Sequence, residues 1–244
     1  MWALIKREWL VFFSSPIGYL TLGLFLTLST LFLWFLETDY NLLNAGFADL
    51  NAFFVLAPWW LMFLVPALCM RSFSEEMRLG TLELLLTKPL GLWQIVLGKY
   101  FAALLLLLTA LLPTLVYMSA LNTLKLDALP MDWGSTLVAY WGLFCVGASF
   151  VALGLVAALI AQNQVTAFLG ALALCFLQFF IWKSIADLVQ TEGLYRGLNQ
   201  MGIFEHYLNL RQGVVGVGDL IYFLGLNYVL LYSSTLLLKR IKNK

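Results

Sequence analysis

RSFSEEMRLGTLELLLTKPLGLWQIVLGK, residues 71–99, is the stretch whose reading decides the fold. It carries seven charged side chains, Arg71, Glu75, Glu76, Arg78, Glu83, Lys88 and Lys99, between two long apolar runs. Of the 244 residues, 62% are hydrophobic and only 11% are charged. A soluble globular domain carries about 25% charged residues, so the class is integral membrane protein. In such a chain, a polar island of this length is a place where something outside the membrane pushes on something inside it.

Outward from the island, a bilayer core of about 30 Å needs about 20 apolar residues as helix. Six segments qualify: 17–36, 53–70, 95–121, 136–160, 166–185 and 219–238. The second contains Pro58 and Pro66 and the third Pro113. Prolines are tolerated in spans where neighbours satisfy the carbonyls they free. Lys6 and Arg7 ahead of the first run resemble a signal peptide. That run is about 20 residues, longer than the usual h-region, and no A-x-A-like site follows, so it reads as a retained span.

An even number of spans puts both termini on one side. Lys6, Arg7, Arg71, Arg78, Lys88, Lys99, Lys239, Arg240, Lys242 and Lys244 then share that side, against Lys125, Lys183, Arg196 and Arg211 on the other. The positive-inside rule predicts that the termini and the island are cytoplasmic. The first outer loop agrees, with Glu37, Asp39 and Asp49 and no basic residue.

Residues 1–16 form a predicted interfacial helix. Trp2, Ile5, Trp9 and Phe12 fall on one face, with Lys6, Arg7 and Glu8 away from it, the pattern of a helix lying flat on the inner leaflet. The outer segment 186–218 is too apolar for a free loop. Ile203, Phe204, Tyr207 and Leu210 predict short helices that dip back towards the membrane, and the glycine-bearing VVGVGD leads through Asp219 into the last span. In the fourth span, Gly147, Ala148, Ala152, Gly154 and Ala158 give small-x-x-x-small spacing and predict a central helix.

Catalytic patterns are absent. His206 is the only histidine; it reads as an exposed capping or hydrogen-bonding residue beside Glu205, and no paired metal spacing exists. No G-x-S-x-G occurs. Gly91 and Gly98-Lys99 miss the phosphate loop, because six residues intervene and Tyr100 follows where a magnesium-binding hydroxyl is required. The cysteines, Cys69, Cys145 and Cys175, fall in apolar runs and read as buried thiols. A net charge of +1 offers no field for nucleic acid. No acidic residue falls inside a span; Asp187 and Asp219 sit at the edges, and Gln178 reads as the one strongly polar side chain deep in a span. Lys183 snorkels to the interface.

Within the island, Gly80 is a natural stop for a helix over 72–79. Thr81 caps a second helix, Glu83 sits in its first turn, Lys88 lies near its end and Pro89 terminates it. Gly91 allows the turn into the third span. Leu82, Leu84, Leu85 and Leu86 make this second helix apolar on most faces. It is either an amphipathic connector or a docking element.

The run SEEMRLGTLELLLTKPLGLWQIVLGKY resembles the first cytoplasmic loop of type-2 ABC exporter permeases. The shared pattern is an acidic residue (Glu75 or Glu76), then Gly80, Thr81, Leu82, Glu83, Leu84, Leu85, Pro89, Gly98 and Lys99. The resemblance extends to the flat N-terminal helix, the six spans and the outer re-entrant segment, hence to one transmembrane domain over 1–244. More narrowly, EHYLNLRQGVVGVGDLIYF, 205–223, with His206, Gly213 and Asp219, resembles the permease subunit of the bacterial gliding-motility ABC transporter. There the histidine is usually followed by Phe; here Tyr207 follows.

The resemblance implies an all-α membrane protein of six transmembrane helices with an N-terminal interfacial helix (Trp2, Lys6, Arg7, Trp9) and a cytoplasmic coupling helix. Its coupling residues would be Glu76, Gly80, Thr81, Leu82, Glu83 and Pro89 across 71–94. It also implies a separate ABC ATPase subunit that holds ATP and Mg, so this chain would bind no cofactor or metal and be no enzyme. A second permease copy or homologous permease, an extracytoplasmic accessory subunit and the lipid bilayer complete the expected partners, in the bacterial inner membrane with both termini cytoplasmic. The alternatives are an autonomous secondary transporter, disfavoured by the missing mid-membrane charges and inverted repeats, and a non-transporting scaffold.

Overall fold

The computed structural model describes residues 1–44, 49–87, 89–124, 132–189 and 191–243. The expectations for Lys88, Lys125 and Lys244 lie outside these. Among the described residues every regular element is helical.

Helix α1 (Trp2–Ser14) ends where Ser15 turns extended, and Pro16 opens α2 (Pro16–Thr30) at its first position, where a missing N–H costs nothing. Five residues of π-helix, Leu31–Phe35, finish this span. Helix α3 (Asn51–Cys69) is followed by the short α4 (Ser74–Arg78) and α5 (Thr81–Leu86). Helix α6 (Leu92–Leu111) passes through a 3₁₀ turn at Pro113 into α7 (Leu115–Leu124). Helix α8 (Trp133–Ile160) is capped by Asp132, whose carboxylate accepts from the Ser135 N–H at 3.0 Å. Helix α9 (Gln164–Phe176) opens on an Asn163–Thr166 capping box and runs through a second π stretch, Leu177–Ile181, into α10 (Trp182–Ala186). Then come α11 (Glu192–Asn199), α12 (Ile203–Arg211) and α13 (Val217–Lys242).

Among the described residues, six helical stretches are long and apolar enough to cross a membrane: Pro16–Phe35, Asn51–Arg78, Leu92–Leu124, Trp133–Ile160, Gln164–Ala186 and Val217–Lys242. They are the six segments read from the sequence. The third begins at Leu92 rather than 95 because Gly91, in an extended conformation, caps it, its N–H donating to the Gln94 side chain at 3.2 Å.

Helix α8 is the centre of the bundle, packed against α3, α6, α9, α12 and α13. Its small residues let neighbours close in. A Cβ on Gly147 would lie 2.5 Å from Leu107, and one on Gly154 would lie 2.8 Å from Cys69. The three cysteines are free, Cys69 and Cys175 buried and Cys145 half-buried.

The segment 186–218 folds back onto the bundle, where α12 packs on α8 and α13. Ile203, Tyr207 and Leu210 of α12 are buried, whereas α11 is exposed along most of its length. Tyr207 Oη donates to the Phe54 carbonyl at 2.6 Å. That carbonyl is the one Pro58, four residues on and lacking an N–H, cannot satisfy. The re-entrant helix therefore repairs the defect that a proline leaves in α3.

Helix α1 buries Leu4 and Ile5 against the bundle and leaves Trp2 73% exposed. Leu4 packs so closely on Gly98 of α6 that a Cβ there would lie 2.8 Å away, and Glu8 is drawn in by an ion pair with Lys99. Four expectations need correction. Thr81 does not cap α5. Gly80, at φ +68, occupies that position, and Thr81 is the first helical residue; the left-handed conformation needs glycine. Helix α4 starts at Ser74 and α5 stops at Leu86, so both are shorter than read. Gln178 is not alone: Asn227 of α13 bonds Tyr100 and Ser149 inside the bundle. Finally, His206 is buried rather than exposed.

Candidate functional site

The island forms a two-helix lever on the end of α3. Phe73 is fully buried at its root, and the Ser74 hydroxyl donates to the Met70 carbonyl. Gly80 reverses the chain between α4 and α5, with its N–H on the Met77 carbonyl at 3.2 Å. Three residues apart on α5, Leu82 and Leu85 are buried against the bundle. Thr81, Glu83, Leu84, Thr87 and Pro89 are exposed, as is Leu79 before the elbow. The lever thus pins one face inward and offers Leu79, Glu83 and Leu84 outward. Of the residues singled out in the sequence, Gly80 shapes the elbow, Thr81, Glu83 and Pro89 face out, and Leu82 faces in.

Glu76 does something else. It joins a cluster of four charges that ties α1, α4 and α6 together. Lys99 Nζ lies 3.1 Å from Glu8 and 2.9 Å from Glu76, and donates to the Ser72 carbonyl. Arg7 binds Glu8 at 2.6 Å and also Glu76. The Lys99 side chain has no exposed area, and its ammonium lies over the Phe73 ring at 4.8 Å. Burial alone would raise the Glu8 pKa, but Lys99 and Arg7 outweigh it and hold the carboxyl below its ordinary value. Burial likewise opposes charge on Arg7, and Glu8 and Glu76 overcome it. Beside the cluster, Arg71 donates to Ser15 at 2.8 Å, fixing the elbow between α1 and α2 to the end of α3. Lys6 is exposed, and Trp9 is half-buried.

On the re-entrant side, His206 Nδ1 meets the Asp219 carboxylate at 2.6 Å, and Nε2 meets the Gln200 carbonyl at 2.9 Å. A carbonyl only accepts, so Nε2 carries a hydrogen, and one proton closes the pair on the other side. The ring stacks on Tyr222 with centroids 3.9 Å apart, and Asn209 donates to both Asp219 oxygens. This pair joins α12 to the first turn of α13 and lines a cavity of about 540 Å³. Gly213, at φ +81, makes the intervening turn; a Cβ there would lie 2.4 Å from the Ser135 hydroxyl. The pairing of His206 with Asp219 was invisible in sequence, because 13 residues and a left-handed turn separate them. No group of three or more His, Cys, Asp and Glu side chains is placed to hold a metal ion among the described residues.

The family model for ABC-2 family transporter proteins matches residues 61–240. The match runs from the middle of α3 through the lever, α8 and the re-entrant segment to the end of α13. No curated protein sequence matches the chain.

Proposed function

The chain belongs to the ABC-2 transporter family, and from that premise we propose that it is the permease subunit of an ABC exporter, driven through its lever by a separate ATPase. Members of this family are the transmembrane components of ABC transporters and have no ATPase activity themselves, which implies an ABC ATPase as partner. The observation that carries the coupling reading is the split of α5. Leu82 and Leu85 hold it to the bundle while Glu83, Leu84 and Leu79 are left outward on an elbow set by Gly80. A short helix fixed on one side and offering Leu84 beside Glu83 on the other suits insertion into a groove of another subunit. Nucleotide binding in that subunit would bias a two-state equilibrium of the spans through this contact.

The distribution of Lys and Arg supports placing both termini and the lever in the cytoplasm, in a bacterial inner membrane. Two permease chains, alike or homologous, would form the export unit. The narrower assignment to gliding motility, where such a subunit would do conformational work with an extracytoplasmic accessory protein, rests on the 205–223 stretch.

Co-purification with the partner ATPase tests the reading. Glu83→Lys and Leu84→Asp should each accumulate normally and lose ATPase binding and ATP-driven function. Retention of the ATPase in both variants would refute the docking role of α5. Substrate flux in liposomes from this chain alone, driven by an ion gradient, would instead establish a secondary transporter.

A further inference from the structure

Lys99 is more deeply buried than its place near a cytoplasmic loop requires. Removing an ammonium from water is costly unless excellent geometry offsets it, and apolar residues of similar size often hold a fold as well or better. Here the groups that compensate it come from two other elements. Glu8 is on α1, the Ser72 carbonyl and Glu76 are at the root of the lever, and Lys99 is at the head of α6. Arg7 closes the ring by binding both glutamates, so two acids and two bases alternate and their formal charges cancel. One residue before Lys99, Gly98 receives Leu4, so α1 is pressed onto α6 at the same level. An apolar contact tolerates a sliding neighbour, whereas the charge-assisted hydrogen bonds from Lys99 to Glu8 and to the Ser72 carbonyl depend on distance and direction.

We propose that Lys99 is a positioning residue for coupling: its ammonium, clasped between Glu8 and Glu76, locks α1 and the head of α6 to the lever so that the three move as one body. The nucleotide-driven part of this role rests on the docking of α5 described above; the lock itself does not.

The test places spin labels at Leu10→Cys on α1 and Arg78→Cys on α4 of the lever, both exposed positions outside the docking face of α5. With the cluster intact, the distance between them is expected to be single and narrow in the isolated permease. In the permease–ATPase complex it should stay unchanged between the nucleotide-free and vanadate-trapped states while both labels move relative to α13. The double variant Glu8→Gln/Lys99→Met removes one charge of each sign and leaves Arg7 paired with Glu76. It should accumulate and retain the ATPase, but the distance should broaden, and movement of α1 should fall about fivefold relative to that of the lever. Arg7→Gln, on the exposed edge of the cluster, is the milder cut and should broaden the distance in the same sense. A distance that stays narrow in both variants, or that changes on trapping with the cluster intact, overturns the proposal. Failure of the ATPase to bind the unaltered chain would refute the docking of α5, while the width measured in the isolated permease would still decide whether the lock exists.

Discussion

Tyr207→Phe removes one oxygen from a buried side chain, and the structure says where the cost falls. Tyr207 Oη donates to the Phe54 carbonyl at 2.6 Å, and Pro58 supplies no N–H to that carbonyl. The hydroxyl is its replacement donor. Leaving a buried acceptor without a partner costs about 1–3 kcal/mol. Interhelical hydrogen bonds in membranes average nearer 0.6, with about 1.7 at the upper end. The expected loss is therefore about 1–2 kcal/mol, towards the upper part of the membrane range because no helical N–H competes for this acceptor. Pro58→Ala restores an N–H four residues beyond Phe54. In that background Tyr207→Phe should cost only a few tenths, so the double-mutant cycle should show about 1 kcal/mol of coupling. Reversible unfolding in mixed micelles measures all four variants. Equal costs of Tyr207→Phe in the two backgrounds would refute the idea that the re-entrant helix repairs the proline.

Acid should loosen the inner cluster. Glu8 has a pKa held below its ordinary value of 4.5, so its ion pairs contribute stability that is present above that value and lost as pH falls through the lower folded value. The separation of α1 from the bundle, followed by Trp9 fluorescence, should rise below about pH 4.5, and Glu8→Gln should abolish that acid limb. In the centre of the bundle, Gly154→Ala forces a Cβ to within 2.8 Å of Cys69 and should cost about 1–3 kcal/mol in thermal unfolding. Gly225→Ala, which meets nothing within 4 Å, should be neutral or stabilise by up to about 1 kcal/mol.

What could be read from sequence divides along physical lines. Spans are legible because about 20 apolar residues have one solution in a bilayer, and the elbow is legible because Gly80 needs no side-chain context. The central place of α8 was readable from Gly147 and Gly154, since small residues are themselves the condition for close approach. Orientation of a face was not. The stripe Trp2–Ile5–Trp9–Phe12 is equally apolar towards lipid or helix, and only the burial of Lys99 explains why Glu8 turns inward. Asn227, in the middle of the 219–238 run, was legible as a second polar residue in a span; its bonds and the His206–Asp219 pair were not. Their partners lie on other helices, and sequence spacing does not encode contacts between helices.

The two polar anchors meet on one element. Near its start, α3 is held to the re-entrant helix by the Phe54 carbonyl. At its other end it continues into Phe73 and Glu76, the root of the lever. Nineteen residues of helix span about 28 Å. Between these ends α3 packs along α8, with Cys69 against Gly154. A proline normally makes a helix yield where its carbonyl is freed. Bonding that carbonyl to Tyr207 stiffens α3 at the place where it would otherwise bend. A displacement at the lever would then reach α12 along the rod rather than be absorbed at Pro58. Tyr207→Phe should accordingly weaken transmission more than its stability cost implies. A spin label at Val214→Cys should follow one at Arg78→Cys on the lever on nucleotide trapping with Tyr207 intact, and should follow it less in Tyr207→Phe. Unchanged correlation would show that α3 transmits without the bond.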